Sequence, residues 1–126
     1  MQKLRTVIVD DEPLAREFLR LLLASFDDVE VVAECSNGKE AVATTLELRP
    51  QLLFLDIQMP GMNGFEVCET LKSDPLTANT AIIFITAHFD EAQEVKGFQL
   101  GAVDFIHKPI NSIFIISIST NPTVIV

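Results

Sequence analysis

The chain has 126 residues, of which 48% are hydrophobic, and its formal net charge is −9. A chain of this length forms one domain around a single core, and its apolar content excludes intrinsic disorder. The negative charge argues against a protein that binds the phosphate backbone of nucleic acid unaided, and it leaves a positive ion open as a ligand.

Short apolar runs alternate with helical patterns along the chain. Strands are predicted at residues 4–9, 29–33, 52–55, 81–85 and 102–106, and helices at 13–25, 38–48, 65–72 and 90–100. The first helix carries apolar residues at helical spacing, namely Leu14, Phe18, Leu21 and Leu22. Pro13 suits a helix start, Asn37 a helix N-cap, and Pro50 ends the second helix. This alternation predicts an α/β fold with a parallel sheet covered by helices on both faces.

The segment 110–126 differs in composition from the rest of the chain. It contains no charged residue, and β-branched residues dominate it. A fifth covering helix is expected here, and the spacing of four apolar residues allows one: Ile110, Ile113, Phe114 and Ile118. Local propensity favours a strand instead, for example over 114–119, and Pro122 ends any regular element. With both interpretations open, we predict a domain core over 1–110 and an atypical segment over 111–126.

The burial of this segment is a separate question. As a helix it would be apolar nearly all round, and as a strand it could add to the edge of a sheet. We therefore hypothesise that 111–126 is buried in a self-association contact, which predicts a homodimer through the C-terminal region.

Cysteine usage and hydropathy bear on the cellular compartment. Cys35 and Cys68 are isolated, with neither a CxxC pair nor a histidine at metal-binding spacing. Two such thiols favour reduced, half-buried cysteines in a reducing cytosol over a disulfide framework. There is no signal-peptide pattern at the N-terminus, and no uncharged apolar run reaches membrane-spanning length. We therefore expect a cytoplasmic protein without a membrane partner.

Polar residues follow the predicted strands at the points where these strands end. They are Asp10, Asp11, Asp56, Thr86 and Lys108. Because the carboxyl ends of parallel strands meet at one edge of a sheet, these side chains should converge. Clustered carboxylates repel one another and call for a cation, and an all-oxygen site suits Mg²⁺, which often completes its shell with phosphate oxygens. A phosphoryl group at Asp56 would then meet the metal on one side and Lys108 on the other.

Each of these residues also has an ordinary structural interpretation when taken alone. Asp10 and Asp11 before a helix are typical of a cap with a favourable charge. An isolated Lys108 is most often a solvated surface lysine, and Asp56 after a strand is as readily a turn residue. Their joint occurrence, each at the end of its own strand, favours a reactive site.

Four motifs carry a resemblance to a known family. They are 9–12 (VDDE), 56–64 (DIQMPGMNG), 85–87 (ITA) and 101–109 (GAVDFIHKP). In order and spacing they resemble the motifs of bacterial response-regulator receiver domains, over roughly residues 4–110. The resemblance implies a flavodoxin-like, doubly wound sheet of five parallel strands in the order 2-1-3-4-5.

The resemblance also implies roles for the clustered residues. Asp56 would accept a phosphoryl group from the phosphohistidine of a histidine kinase or phosphotransfer protein. Asp10, Asp11, Asp56 and the backbone carbonyl of Gln58 would bind Mg²⁺, and Lys108 would pair with the phosphoryl oxygens. Such a protein is a signalling switch and not an enzyme, since it catalyses only its own phosphorylation and slow dephosphorylation.

Further implied features concern how the switch works. Thr86 and Phe105 would move when the phosphoryl group arrives, and the peptide bond before Pro109 would be cis. The fourth and fifth helices and the fifth strand would form the surface that a downstream protein or a fused output domain reads. Nothing in the chain suggests direct nucleic-acid binding, and both a stand-alone receiver and a fragment of a longer regulator stay open.

Two alternatives compete with a phosphorylated switch. A Mg²⁺-dependent phosphohydrolase of the haloacid-dehalogenase type would need a second carboxylate two residues after Asp56, where this chain has Gln58, a poor acid or base. An interaction module that is never phosphorylated is disfavoured by the complete set of site residues. Gln58 and His88 flank the predicted pocket, so we predict that they tune the lifetime of the phosphoryl group.

Overall fold

The computed structural model describes residues 3–88 and 90–111. Five strands and four helices alternate: β1 (Leu4–Val9), α1 (Pro13–Leu23), β2 (Val29–Cys35), α2 (Gly38–Leu48), β3 (Leu52–Asp56), α3 (Gly64–Lys72), β4 (Ala81–Thr86), α4 (Glu91–Gln99) and β5 (Asp104–His107). The strands pair in parallel in the order β2-β1-β3-β4-β5. This confirms the predicted doubly wound fold and its strand order.

Alternate residues of the central strands divide between two hydrophobic cores, one on each face of the sheet. On β3, Leu53 and Leu55 pack into the core that contains α2 and α3 residues, whereas Leu52 and Phe54 pack into the core that contains α1 residues. Successive side chains of a strand point to opposite faces, so a continuous apolar run fills both cores at once. The predicted covering of the parallel sheet by helices on both faces is therefore confirmed.

The helix α1 buries a different stripe from the one that its sequence pattern emphasises. Leu19 and Leu23 are only 2% exposed, whereas the side chains of Leu14, Phe18 and Leu21 lie on the surface. Apolar residues on α1 outnumber the positions that one sheet face can cover, because a helix buries a single stripe against a sheet. The exposed residues form an apolar surface on α1.

Several predicted element ends are wrong by one or two residues. β2 runs on to Cys35, because its carbonyl accepts a hydrogen bond from the Asp10 amide. The predicted start of β5 at residue 102 is too early, since the Ala102 amide still donates to the carbonyl of Gly97 at the end of α4. At the helix starts the local signals hold. The side chain of Asn37 accepts a hydrogen bond from the Glu40 amide at 2.8 Å.

The predictions for the C-terminal segment fall outside the described residues. Asn111 is the last residue described, and it follows the buried Ile110. A fifth helix, the alternative strand and the domain division at 110 therefore stay predictions. Among the described residues, none of the helices has the length and apolar character needed to cross a membrane.

Candidate functional site

Three carboxylates meet at the carboxyl edge of the sheet, where neighbouring strands β1 and β3 end. Asp10 and Asp11 follow β1, and Asp56 is the last residue of β3. One carboxylate oxygen from each lies within 4.8 Å of the others. Asp10 and Asp56 are only 3% and 4% exposed, so solvent screens their repulsion poorly. This donor set is all oxygen and carries three negative charges, which fits a hard divalent cation such as Mg²⁺.

Lys108 brings a positive charge into the same cluster from the strand at the edge of the sheet. Its amide donates to the carbonyl of Thr86 at 2.7 Å, and its ammonium Nζ lies 2.8 Å from Oδ2 of Asp10. Burial lowers the pKa of Lys108, but the hydrogen bond and charge of Asp10 outweigh burial and raise the pKa above its ordinary value. The peptide bond between Lys108 and Pro109 is cis, in agreement with the expectation.

The surroundings of Asp56 raise the pKa of its carboxyl group. Burial first, and then the negative charge of Asp10, raise the pKa of Asp56 to about 7, against the opposing effect of the positive charge of Lys108. The ionised form of Asp56 is therefore costly near neutral pH. A cation bound between the carboxylates would remove much of that cost, since it favours the charged form.

The hydroxyl of Thr86 is already hydrogen-bonded in this structure. Thr86 is fully buried, and its Oγ1 donates to the His88 carbonyl at 3.0 Å and accepts from the His88 amide at 3.1 Å. To donate to a ligand at Asp56, the hydroxyl must give up at least its hydrogen bond to the His88 carbonyl. Thr86 therefore lies at the same edge of the sheet as the carboxylates, as the sequence predicts. Its hydroxyl, however, is hydrogen-bonded to the backbone of the loop that follows β4.

The two remaining predicted residues, Phe105 and Gln58, differ in burial. Phe105 is partly buried behind the rim and packs against Phe84, with the ring centroids 6.2 Å apart. Gln58 follows β3 and is exposed. The assignment of its backbone carbonyl as a metal ligand stays a prediction.

Sequence reasoning missed two residues that contact the main chain of Asp10 or Asp56. At Gly64, a Cβ atom would overlap the carbonyl oxygen of Asp56 and lie 2.9 Å from the Cα of Ile57. The missing side chain therefore lets the N-terminus of α3 pack directly against the main chain that carries Asp56. The second residue is Arg16, whose guanidinium donates to the Asp10 carbonyl. A glycine directly after the N-cap Asn63 was a usable signal, but nothing in the sequence singles out Arg16.

Comparison with known proteins agrees with this geometry. A family model for the response regulator receiver domain matches residues 6–118. The chain belongs to this family. It is thus a signalling domain of the two-component type, and its fold and acidic cluster are those expected of a receiver domain.

Individual relatives support the same assignment. The transcriptional regulatory protein BtsR of Salmonella typhi is 50% identical over 107 residues, which are 85% of this chain but only 43% of that protein. The NarL signal receiver domain from Mycobacterium tuberculosis superposes with a TM-score of 0.86 at 32% identity and 93% coverage of both chains. The response regulator domain of Thermotoga maritima CheB gives 0.79 at 34% identity, with 88% of this chain and 82% of that chain covered.

The contact between Lys108 and Asp10 leads to a first prediction. Replacing Lys108 with methionine keeps an apolar stem of similar length but removes the ammonium that competes for Oδ2 of Asp10. We expect Mg²⁺ to bind the unphosphorylated variant roughly tenfold more tightly, equivalent to about 1.4 kcal/mol. Isothermal titration calorimetry measures this affinity. Lys96→Met is the control, because it removes the same charge at a different place. Nζ of Lys96 lies over the Phe65 ring, 4.7 Å from its centre. Unchanged or weaker binding by Lys108→Met contradicts the prediction.

Proposed function

We propose that this receiver domain is a phosphorylation-dependent switch that takes a phosphoryl group onto Asp56 in the presence of Mg²⁺. The donor would be the phosphohistidine of a histidine kinase or phosphotransfer protein. The observation that carries this proposal is the meeting of Asp10, Asp11, Asp56 and Lys108 in one partly buried cluster at the carboxyl edge of the sheet.

The positions of these groups support the following chemistry. A carboxylate oxygen of Asp56 attacks phosphorus, a new O–P bond forms, and the P–N bond to the donor histidine breaks. Mg²⁺, held by Asp10, Asp11, Asp56 and the carbonyl of Gln58, would neutralise negative charge on the carboxylate and on the incoming group. Lys108 then exchanges its contact with Asp10 for a phosphoryl oxygen, where a localised ammonium is most useful.

The change of state would start at Thr86. Its hydroxyl is released from the His88 backbone when it donates to a phosphoryl oxygen, and this alters the loop between β4 and α4. Phe105 lies on the adjacent strand beside Phe84. We propose that the ring of Phe105 turns inward with this movement, which couples the rim to the surface formed by α4 and β5.

The decisive experiment is phosphorylation by a small donor. The protein is incubated with acetyl phosphate, with Mg²⁺ or with a chelator, and the intact mass is measured beside that of Asp56→Asn. We expect the mass of one phosphoryl group on the wild type with Mg²⁺, and none with the chelator or on the variant. An equally modified Asp56→Asn sinks the proposal. A folded wild type that stays unmodified indicates a pure interaction module, and rapid release of inorganic phosphate at many turnovers indicates a phosphohydrolase.

The partners on the output side are also proposals, because the chain spans less than half the length of BtsR. A downstream protein or a fused output domain would read the surface of α4 and β5. On α4, Val95 and Phe98 are 55% and 45% exposed, which gives that surface an apolar component. We propose a cytoplasmic setting, and we propose that this chain does not itself bind nucleic acid, in keeping with its net charge of −9.

The lifetime of the phosphoryl group is the subject of a second prediction. Gln58 and His88 are both exposed and stand two residues after Asp56 and Thr86. Replacing each with alanine should open a path for water to the phosphoryl group and shorten its lifetime, since hydrolysis requires in-line approach of water. The decay of the phosphorylated protein is followed by mass spectrometry after removal of the donor. Gln99→Ala, a change on the exposed end of α4, is the control. Lifetimes that match the control for both variants defeat the prediction.

Self-association is the third prediction. The segment 111–126 lies outside the described residues except for Asn111. The apolar surface on α1, with Leu14 78% exposed and Phe18 53% exposed, is a candidate contact for it. We propose a homodimer that buries the C-terminal region. Sedimentation equilibrium of the whole chain tests this, and a monomer at high concentration with a protease-sensitive C-terminus refutes it.

A further inference from the structure

The backbone of Asp10 is anchored at both of its polar atoms. Its amide donates to the carbonyl of Cys35 at the end of β2, at 3.1 Å. Its carbonyl accepts a hydrogen bond of 2.7 Å from Nη1 of Arg16, in the second turn of α1. Asp10 is therefore held from two neighbouring elements just where β1 ends, and one of the two anchors is a side chain.

The carboxylate of Asp10 depends on this main-chain position. Its Oδ1 accepts from the amide of Glu12 at 3.0 Å, and its Oδ2 accepts from Nζ of Lys108 at 2.8 Å. With both oxygens engaged, a displacement of the main chain moves the carboxylate away from Asp11 and Asp56. Because the residue is only 3% exposed, losing the Arg16 donor would also leave its carbonyl poorly solvated.

Arg16 is itself held in place by an ion pair. Its Nε lies 3.7 Å from Oε1 of Glu34, and its side chain is only 19% exposed. Arg20, one turn further along α1, places its own Nε 3.1 Å from Oε2 of the same Glu34. Within the described part of the chain, Arg16 is the residue whose side chain bonds to the Asp10 carbonyl. Both arginines thus pair with Glu34, but it is Arg16 whose side chain also bonds to the main chain of Asp10.

We propose that Arg16 is a positioning residue for the cation site: it holds the main chain of Asp10 so that the three carboxylates converge on one ion. The inference rests on the proposed binding of Mg²⁺. Arg16 contacts neither a reacting atom nor a carboxylate of the cluster, and it acts through the Asp10 carbonyl. Outer residues that orient metal ligands typically change metal affinity by about 10–100-fold when they are replaced.

The direction in which Mg²⁺ affinity changes when Arg16 is replaced distinguishes this positioning role from a purely electrostatic one. Arg16 is a positive charge near a cation site, so by charge alone its removal should tighten the binding of Mg²⁺. As a positioning residue, its removal should weaken that binding. Arg20 supplies the reference, because its replacement removes the same charge and an ion pair to the same Glu34, while the Asp10 carbonyl keeps its partner.

The experiment is a Mg²⁺ titration of the unphosphorylated whole chain by isothermal titration calorimetry, well below the unfolding temperature of each protein. We expect Arg16→Gln to bind Mg²⁺ about tenfold more weakly than the wild type, and Arg20→Gln to bind it equally or more tightly. Arg16→Lys should recover part of the loss, because one ammonium N–H can still donate to the carbonyl. In ¹⁵N spectra, the amides of Asp10 and Cys35 should shift in Arg16→Gln and not in Arg20→Gln.

The outcomes distinguish this inference from the proposed function. If the wild type binds Mg²⁺ and Arg16→Gln binds it as tightly as Arg20→Gln does, the positioning role is wrong while the proposed function stands. If the wild type binds no Mg²⁺, both are wrong. If Arg16→Gln fails to fold, Arg16→Lys is compared with Arg20→Lys: weaker binding by the former supports the role, and equal binding overturns it.

Discussion

Replacing Asp56 with asparagine is expected to raise the free energy of unfolding at pH 8, in metal-free buffer, by on the order of 2–4 kcal/mol. In the folded protein, burial and then the charge of Asp10 raise the pKa of Asp56 from its ordinary 3.8 to about 7. At pH 8 the folded state must therefore keep a charge that the unfolded chain carries at little cost. Asparagine has nearly the same shape and removes that charge.

The pH dependence follows from the direction of the shift. A carboxyl group whose pKa is raised in the folded state binds its proton more tightly there, so the wild type loses stability as the pH rises from about 4 to about 7. Below pH 4 both states are protonated and the difference between wild type and variant should vanish. Above pH 7 the difference should be complete.

Urea unfolding at several pH values, with a chelator present, measures this difference. Asp27→Asn is the control, because Asp27 is exposed in the turn before β2. Adding Mg²⁺ should stabilise the wild type more than Asp56→Asn, because a ligand that binds only the folded state stabilises it. If Asp56→Asn and the wild type have the same free energy of unfolding at every pH, the pKa of Asp56 is not raised in the folded protein and the prediction is wrong.

Replacing Gly64 with alanine is expected to lower the free energy of unfolding by about 3 kcal/mol, at the upper end of the cost of overpacking. The added Cβ would collide with the Asp56 carbonyl and with the Cα of Ile57, which are main-chain atoms with little freedom to move aside. The N-terminus of α3 and the end of β3 must then separate, and Asp56 moves with the strand. We therefore expect Mg²⁺ affinity to fall as well.

Gly61 provides the matched control for this substitution. It precedes the same helix and has a positive φ of +75°, but a Cβ at this position meets no atom within 4 Å. Gly61→Ala should cost only the backbone penalty of a left-handed residue, about 1 kcal/mol, and should leave Mg²⁺ affinity near that of the wild type. Chemical unfolding and calorimetry on both variants test the pair. Equal costs in the two would show that close packing at Gly64 does not position Asp56.

The convergence of the site residues was predictable because it follows from topology. Asp10 and Asp56 each end an apolar run, and in a parallel sheet such ends lie on the same edge whatever the details of packing. The same reasoning brings Lys108 to this edge from the end of β5. The cap at Asn37 was equally readable, because it depends on a contact between residues three positions apart.

The interpretation failed where the outcome depended on contacts between distant elements. The start of β5 was placed too early because the Ala102 amide stays hydrogen-bonded to the carbonyl of Gly97 in the preceding helix. On α1, periodicity marked Leu14, Phe18, Leu21 and Leu22, whereas the packing of the helix on the sheet chose Leu19 and Leu23 for the core. Amphipathic spacing indicates that a helix has an apolar side, not which residues the sheet will cover.

The sequence by itself determined the fold class, the order of the elements and the acidic cluster with its lysine. These depend on local patterns and on the geometry that every parallel sheet shares. Only the tertiary structure decided how the cluster is held: Arg16 reaches the Asp10 carbonyl from another element, and Gly64 lets α3 rest against the main chain of Asp56. Such contacts join side chains and backbones at distances of about 3 Å. Spacing along the chain carries no information at that precision.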